Sequence, residues 1–380
     1  MTERLSVFFD PCVFEHDTGR GFFEASASPY LPILETHPEN AARTRNMLAL
    51  LQQGPIAPVL DWHRGEAATR ADLERFHNAS YLDELESIPL DATRWFSGTT
   101  VFGPDSYRIC CAAAGQAIAA ANHVFRGEAR RAYALLRPPG HHAQPQMADG
   151  YCFFNNIGVA IESLRVAGLK KAAVIDWDVH HGNGTQQGYY EDPDILTISL
   201  HMNHGAWGET HPQTGDVDEV GAGAGVGANL NIPMPYGSGD SAYLRAFEEI
   251  VMPAVRAHKP DMLFIANGQD ANQFDPNGRQ LLSMRGFYEL GKRVRVLADE
   301  CCDGRLLLVQ EGGYAISYAA YCLHATLDGV LGREPGLDDP LAYMQEQLAT
   351  VEDFIVDWRC RYEAAIKALK MQGNSDGELN

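Results

Sequence analysis

The stretch Ala172-Ala173-Val174-Ile175-Asp176-Trp177-Asp178-Val179-His180-His181-Gly182-Asn183-Gly184 has two halves. Its first four residues are apolar without a break. A strand with one face in water alternates apolar and polar residues, so an unbroken run marks a strand covered on both faces, the habit of a parallel sheet. Runs of the same character stand at Leu5–Phe9, Tyr133–Leu136, Ile195–Leu200, Met262–Ala266 and Leu306–Val309. Helical patterns lie between them. Pro104 and Asp105 open an Ala-rich helix that runs to Phe125 and stops before Gly127, and 241–257 and 283–298 read the same way. Strand and helix in alternation imply a doubly wound α/β fold. Apolar residues recurring every three or four positions from Leu341 to Leu369 predict one amphipathic helix over 341–370, assigned to core packing first and an oligomer contact second, with 373–380 a frayed tail.

The 380 residues carry 30 Lys and Arg against 50 Asp and Glu, a formal charge of −20. A field of that sign repels phosphate backbones and anionic membrane surfaces, so neither nucleic acid nor membrane is an expected partner, whereas ligands carrying positive charge are attracted. With 45% apolar and 21% charged residues the chain has an ordinary globular composition. No apolar stretch is long enough to cross a bilayer and Met1 to Asp10 lacks a signal-peptide pattern, which together lead to a cytoplasmic expectation. The eight cysteines include no C-x-x-C and read as reduced thiols.

In α/β sheets ligands bind beyond the carboxyl ends of the strands, and the second half of the opening stretch lies there. Asp176, Asp178 and His180 are spaced two apart, so in extended backbone they point to one side. Two ligands from this segment and Asp270 from another strand end would give three ligands with open positions, as catalytic rather than structural zinc requires. One imidazole with two carboxylates is a harder donor set than three histidines, so Fe(II) or Co(II) also suits it. Other strand ends carry Arg137-Pro-Pro-Gly-His141-His142 and Gln310-Glu-Gly-Gly-Tyr314. A histidine after the rigid Pro-Pro-Gly turn can serve as a general base, and two glycines before Tyr314 leave it on mobile backbone, able to bring a phenol to a developing oxyanion.

Taken in order, R-P-P-G-H-H, D-G-Y-C-F-F-N-N (149–156), D-W-D-V-H-H-G-N-G-T-Q, the Asp270 loop followed by D-P-N-G, and E-G-G-Y resemble the zinc-dependent histone deacetylase family, which includes acetylpolyamine amidohydrolases and bacterial deacetylase-like amidohydrolases. H-P-E at 37–39 adds to the match, which covers residues 5–335. The resemblance implies the arginase-deacetylase fold: a single domain over 1–380, three layers α/β/α, and a mostly parallel sheet of about eight strands. It assigns zinc to Asp178, His180 and Asp270, the general base and acid to His142, and a supporting electrostatic role to His141, held by Asp176. Tyr314 would be the oxyanion donor, and a structural potassium ion would sit near Asp176, Asp178, His180 and Ser199. The implied reaction is removal of an acetyl or short acyl group from an amine such as acetyl-lysine in a peptide or an acetylpolyamine, by an enzyme expected to be a homo-oligomer.

Several positions depart from the family pattern. Asn183 stands where many class I members have an aspartate partner for the second histidine, and asparagine there is a class II feature. A neutral partner biases His142 less toward its protonated form, which suits a base. The substrate channel, placed by the resemblance at Gly150 and Tyr151, is commonly walled by two phenylalanines. Tyr151 takes the first position, and the second falls at His211, with Trp207 close enough to compete. Gln269 replaces the usual phenylalanine before Asp270, with no physical account at this level. The glycine-rich run 221–227 is rejected as a dinucleotide loop because another strand, not a helix, follows it at Asn229. Cys152 and Trp177 read as packing residues, and the segment 12–40 as channel rim or subunit contact. Two competing readings are a noncatalytic binder of acetylated ligands and an arginase-like ureohydrolase; the latter needs two manganese ions and a denser set of carboxylates.

Overall fold

A computed structural model describes residues 3–23, 26–203, 213–342 and 351–375, with backbone alone at 351–354 and 371–375. Eight strands build its main sheet: β1 Leu5–Phe9, β2 Leu60–His63, β3 Arg131–Leu135, β4 Ala172–Asp176, β5 Ile195–Met202, β6 Asn229–Met234, β7 Met262–Asn267 and β8 Leu306–Gln310. Their order is β6-β5-β4-β7-β8-β3-β1-β2, and every pairing is parallel. This is the arginase-deacetylase architecture, and the doubly wound expectation is met.

The two-sided burial that the apolar runs imply can be followed residue by residue. Ala173, Ile175, Leu263, Ile265, Leu306 and Leu308 join one core, while Ala172, Val174, Met262, Phe264, Leu307 and Val309 join the other. Each strand thus buries both faces, the period of two being filled on both sides. Helices α1 (Ala41–Gln53), α5 (Met284–Cys301) and α6 (Tyr318–Leu331) cover the first face, through residues such as Met47, Leu290 and Leu323. Helices α2 (Ser106–Phe125) and α3 (Asn156–Val166) cover the second, through Ala113, Ala117, Ile157 and Ile161.

The helix expected over 341–370 is α7, Val351–Ser375; Leu341 and Ala342 form a turn, and 343–350 lie outside the described residues. Gly373 to Ser375 continue the helix, and 376–380 lie outside the described residues. Ile355 and Trp358 of α7 are buried, and the Trp358 indole N–H donates to the Asn231 carbonyl on β6.

Register places the chemistry. Ser199 on β5 stands opposite Asp176 on β4, Asp176 opposite Ala266 on β7, and Ala266 opposite Val309 on β8. The segments that follow these strands therefore leave the sheet at one level and side by side. A short helix, α4 (Asn183–Tyr189), begins directly after the D-W-D-V-H-H segment.

Candidate functional site

Asp178, His180 and Asp270 offer ligand atoms that all lie within 4.8 Å of one another, and all three residues are buried. Main-chain donors aim the carboxylates. Asp178 Oδ2 accepts from the Gly312 N–H at 2.8 Å, its Oδ1 accepts from the His180 N–H at 3.0 Å, and Asp270 Oδ1 accepts from the Val179 N–H at 2.8 Å. Position 312 must be glycine for this approach, since a Cβ there would lie 2.2 Å from Asp270 Oδ2 and 2.7 Å from Asp178 Oδ2. Oδ2 of Asp270 lies 3.0 Å from Nδ1 of His180, yet no described residue donates to it with hydrogen-bond geometry. A buried, acceptor-only oxygen without a donor beside a second carboxylate is the environment a cation completes. Burial works against a charged His180, but the Asp270 and Asp178 carboxylates outweigh it and hold the imidazole up at about 10. The cluster therefore attracts positive charge, and its donors fit a divalent ion.

His141 and His142 sit beside this cluster with ring centroids 3.9 Å apart. Their partners differ. His141 Nδ1 lies 2.8 Å from Asp176 Oδ2, and its Nε2 lies 3.7 Å from Asp178 Oδ1. Burial opposes its charge, but the carboxylates of Asp178 and Asp176 hold it well above the ordinary histidine value, which favours its protonated form. His142 Nδ1 instead lies 2.6 Å from the neutral Asn183 Oδ1.

Tyr314 completes the wall opposite, its ring centroid 6.4 Å from that of His180. Burial, then the charges of Asp178 and Asp270, push its phenol well above the ordinary tyrosine value, so it remains a donor. Main-chain hydrogen bonds flank the two glycines. The N–H groups of Tyr314 and Ala315 both donate to Asp275 Oδ2, at 2.6 and 3.1 Å, and the Gly312 carbonyl accepts from the Gln269 N–H at 3.1 Å.

Tyr151 faces Tyr314 edge-on at 5.8 Å, and its hydroxyl accepts from Asn277 Nδ2 at 3.2 Å. From Tyr151 an aromatic chain passes through His37 (4.8 Å) and Phe23 (4.4 Å) to the half-exposed Trp95 (6.0 Å), which sets part of the 12–40 segment beside the site. His211 and Trp207 lie outside the described residues. Asp176 and Ser199 line one small cavity that Asp178 and His180 do not line, and the Ser199 hydroxyl is hydrogen-bonded with His201 Nδ1 at 2.9 Å.

Residues 37–330 match the model of the histone deacetylase domain family. The chain belongs to the histone deacetylase family. It is 47% identical over 353 residues to histone deacetylase 8 of Arabidopsis thaliana, covering 92% of this chain and 94% of that one. It is 37% identical over 360 residues to the histone deacetylase-like amidohydrolase of Pseudomonas aeruginosa, covering 93% and 94%. Among solved structures, the HDA15 HD domain superimposes with a TM-score of 0.80 at 29% identity, over 98% of this chain and 100% of that one. Family membership carries deacetylase, or more broadly amidohydrolase, activity. No helix among the described residues is long and apolar enough to cross a membrane.

In this deacetylase-family site several supporting residues escape a reading of the sequence. Arg43 is fully buried; it bonds the Glu311 carbonyl at 2.7 Å and the Gly313 carbonyl at 3.5 Å. Glu311 Oε2 accepts from the N–H groups of Gly140 and His141 at 2.7 and 3.1 Å, fixing the loop that carries both histidines. Gln269, for which the sequence offers no account, bridges two strand ends: its Nε2 donates to the Asn267 carbonyl and its Oε1 accepts from Gln310 Nε2, each at 2.8 Å. Glu311 lies within the E-G-G-Y motif, whereas Arg43 lies in none of the motifs quoted above.

Proposed function

We propose that this chain is a metal-dependent deacylase that hydrolyses N-acetyl or short N-acyl groups from amines whose other groups are cationic, with acetyl-lysine peptides and acetylpolyamines as the substrate classes. The observation that carries it is the convergence of Asp178, His180 and Asp270 beside the His142–Asn183 pair and the protonated phenol of Tyr314. The charge of −20 favours such substrates by attraction.

Asp178, His180 and Asp270 would hold one divalent cation, zinc in our reading with Fe(II) or Co(II) as substitutes. When bound, that ion supplies Lewis acidity toward the amide carbonyl and lowers the pKa of water. The protein's own groups do the rest. His142, partnered by the neutral amide of Asn183 rather than by a carboxylate, takes a proton from the attacking water and returns it to the departing amine. Tyr314 donates its hydroxyl to the oxyanion as charge develops on the carbonyl oxygen. His141, cationic against Asp176, contributes positive potential without leaving its partner. Tyr151 flanks the acyl-amine stem, and four methylenes of a lysine crossing such a wall gain at most about 3 kcal/mol. A potassium ion near Asp176, Asp178, His180 and Ser199 would be structural; of these, Asp176 and Ser199 line one small cavity.

Metal analysis of the purified protein, paired with acetate release from an acetyl-lysine peptide and from acetylputrescine, tests the reading. About one divalent ion per chain and chelator-sensitive acetate release are expected. Retention of either ligand without acetate release would leave a binder instead of an enzyme.

A further inference from the structure

Asp149 stands one residue behind the histidine pair. Asn183 presents Oδ1 to His142 Nδ1 at 2.6 Å, and the Nδ2 of the same amide donates to Asp149 Oδ2 at 3.0 Å. All three residues are buried. Asp149 is itself fixed, because it opens the four-residue turn Asp149–Cys152, closed by the Cys152 N–H donating to the Asp149 carbonyl at 2.7 Å. Both central residues of that turn, Gly150 and Tyr151, have positive φ, of 49° and 69°.

We propose that Asp149 is a positioning residue that sets the tautomer of His142 through Asn183; this rests on the reading of His142 as the base. The argument is one of donors and acceptors. An asparagine amide can be turned over, exchanging its oxygen and nitrogen at little steric cost. A carboxylate only accepts, so facing Asp149 the amide must present its NH₂ group to Oδ2 and its oxygen to His142. An oxygen at His142 Nδ1 requires the proton on Nδ1, which leaves Nε2 as the unprotonated nitrogen of the neutral ring. That is the form a base needs. Without Asp149 the amide is free to turn and donate to Nδ1, placing the ring proton on Nε2, where the ring cannot accept one. A histidine base held in the wrong tautomer loses orders of magnitude in rate. The same turn carries Tyr151 to Tyr314, so one short loop serves both the base and the wall of the site.

The test compares the full-length parent, Asp149→Ala and the exchange Asp149→Asn with Asn183→Asp, by acetyl-lysine peptide kinetics and by ¹⁵N NMR of labelled histidine. In Asp149→Ala, kcat is expected to fall by about tenfold or more with KM within about twofold, and the His142 signal to move from Nδ1–H toward Nε2–H. In the exchanged pair the carboxylate now stands next to His142 and accepts from its Nδ1–H directly, while the amide moved behind it donates to that carboxylate. The Nδ1–H tautomer therefore returns, and kcat recovers to within about threefold of the parent. Parental kcat with an unmoved tautomer in Asp149→Ala overturns the proposal. So does a loss that the exchange fails to restore while the tautomer stays Nδ1–H, which would show Asp149 merely holding its turn. The NMR readout needs no turnover: a tautomer that moves in a chain without deacylase activity supports the role of Asp149 while refuting the proposed reaction.

Discussion

The guanidinium of Arg43 lies 5.3 Å from the centre of the Tyr314 ring and bonds the carbonyls on either side of Gly312. Its Nε also reaches Glu39 Oε1 at 3.3 Å, in a pair with no solvent exposure. One side chain thus joins a buried charge to the backbone that presents the phenol. Glu39 keeps a second buried partner, Arg137 Nε at 2.7 Å, so losing Arg43 does not leave it as a bare charge. Arg43→Ala should lose stability in urea unfolding by about 1.5 to 3 kcal/mol, the range for hydrogen bonds to a charged group, rather than the full cost of stranding a buried ion. Arg43→Lys keeps the charge but lacks the planar fork that spans two carbonyls, so it should fold better and still show a reduced kcat. A lysine variant with the parent kcat would separate Arg43 from the placement of Tyr314.

Tyr314→Phe removes only the hydroxyl, leaving the ring edge-on to Tyr151 and the backbone N–H on Asp275. Loss of one oxyanion donor costs about 10² to 10³ in turnover, or roughly 2.7 to 4 kcal/mol of transition-state stabilisation. Acetate release at saturating substrate should drop at least about tenfold, with the thermal midpoint close to that of the parent. Near-parent turnover would remove the phenol from the reaction.

The strands and the Asp178–His180 pair were readable because both follow from local periodicity, whereas Asp270 had to be brought in from another strand end. An apolar run such as Ala172–Ile175 announces a strand buried on two sides, and the two-residue spacing of Asp176, Asp178 and His180 announces side chains on one side. Strand β2, Leu60–His63, was missed because it is a four-residue edge strand whose Trp62 is exposed, leaving no continuous run. Arg43, Glu311, Asp275 and Asp149 left no comparable signal. Three of them act on main-chain carbonyls or N–H groups, and Asp149 acts on another residue's amide, so their roles depend on distant backbone brought close by the sheet register. Gln269 became intelligible only once its bonds to Asn267 and Gln310 placed it between two strand ends.

Gly150 makes a separate prediction. A Cβ at this position would stand 2.2 Å from His142 Cδ2 and 2.6 Å from Cγ, and the backbone is left-handed at φ +49°. The conformational cost for alanine there is about 1 to 2 kcal/mol, a modest loss of stability. The clash is the larger effect, since the imidazole must move away and its 2.6 Å bond to Asn183 must lengthen. Gly150→Ala should therefore stay folded at about 25 °C while kcat falls by roughly tenfold or more, which far-UV dichroism and acetate release from one preparation would check. An alanine variant with full activity would show that His142 tolerates displacement.

His77 ties acid stability to the loop behind the site. Its Nε2 accepts from the Asn155 N–H at 2.9 Å, so the proton of the neutral ring lies on Nδ1, which faces the Gln144 carbonyl at 3.1 Å. Burial depresses the ring to about 4, against an ordinary value of 6.5. Between these values the unfolded chain binds the proton and the folded chain does not, so stability from this residue is present above pH 6.5 and lost as pH falls toward 4. Going from about pH 7 to about pH 5 the loss is about 2 kcal/mol for a shift of this size. Protonation would also set two N–H groups against each other at Asn155, whose side chain caps α3 by accepting from Gly158 at 2.8 Å. Urea unfolding of the parent and of His77→Gln at both pH values isolates the effect, because every other titrating group is common to the two chains. The glutamine variant should be weaker at the higher pH, by about 1 to 3 kcal/mol for a disturbed buried hydrogen bond. Its further loss on acidification should be smaller than the parent's by about 2 kcal/mol. Equal pH dependence in both would mean that His77 already exchanges protons freely in the folded state.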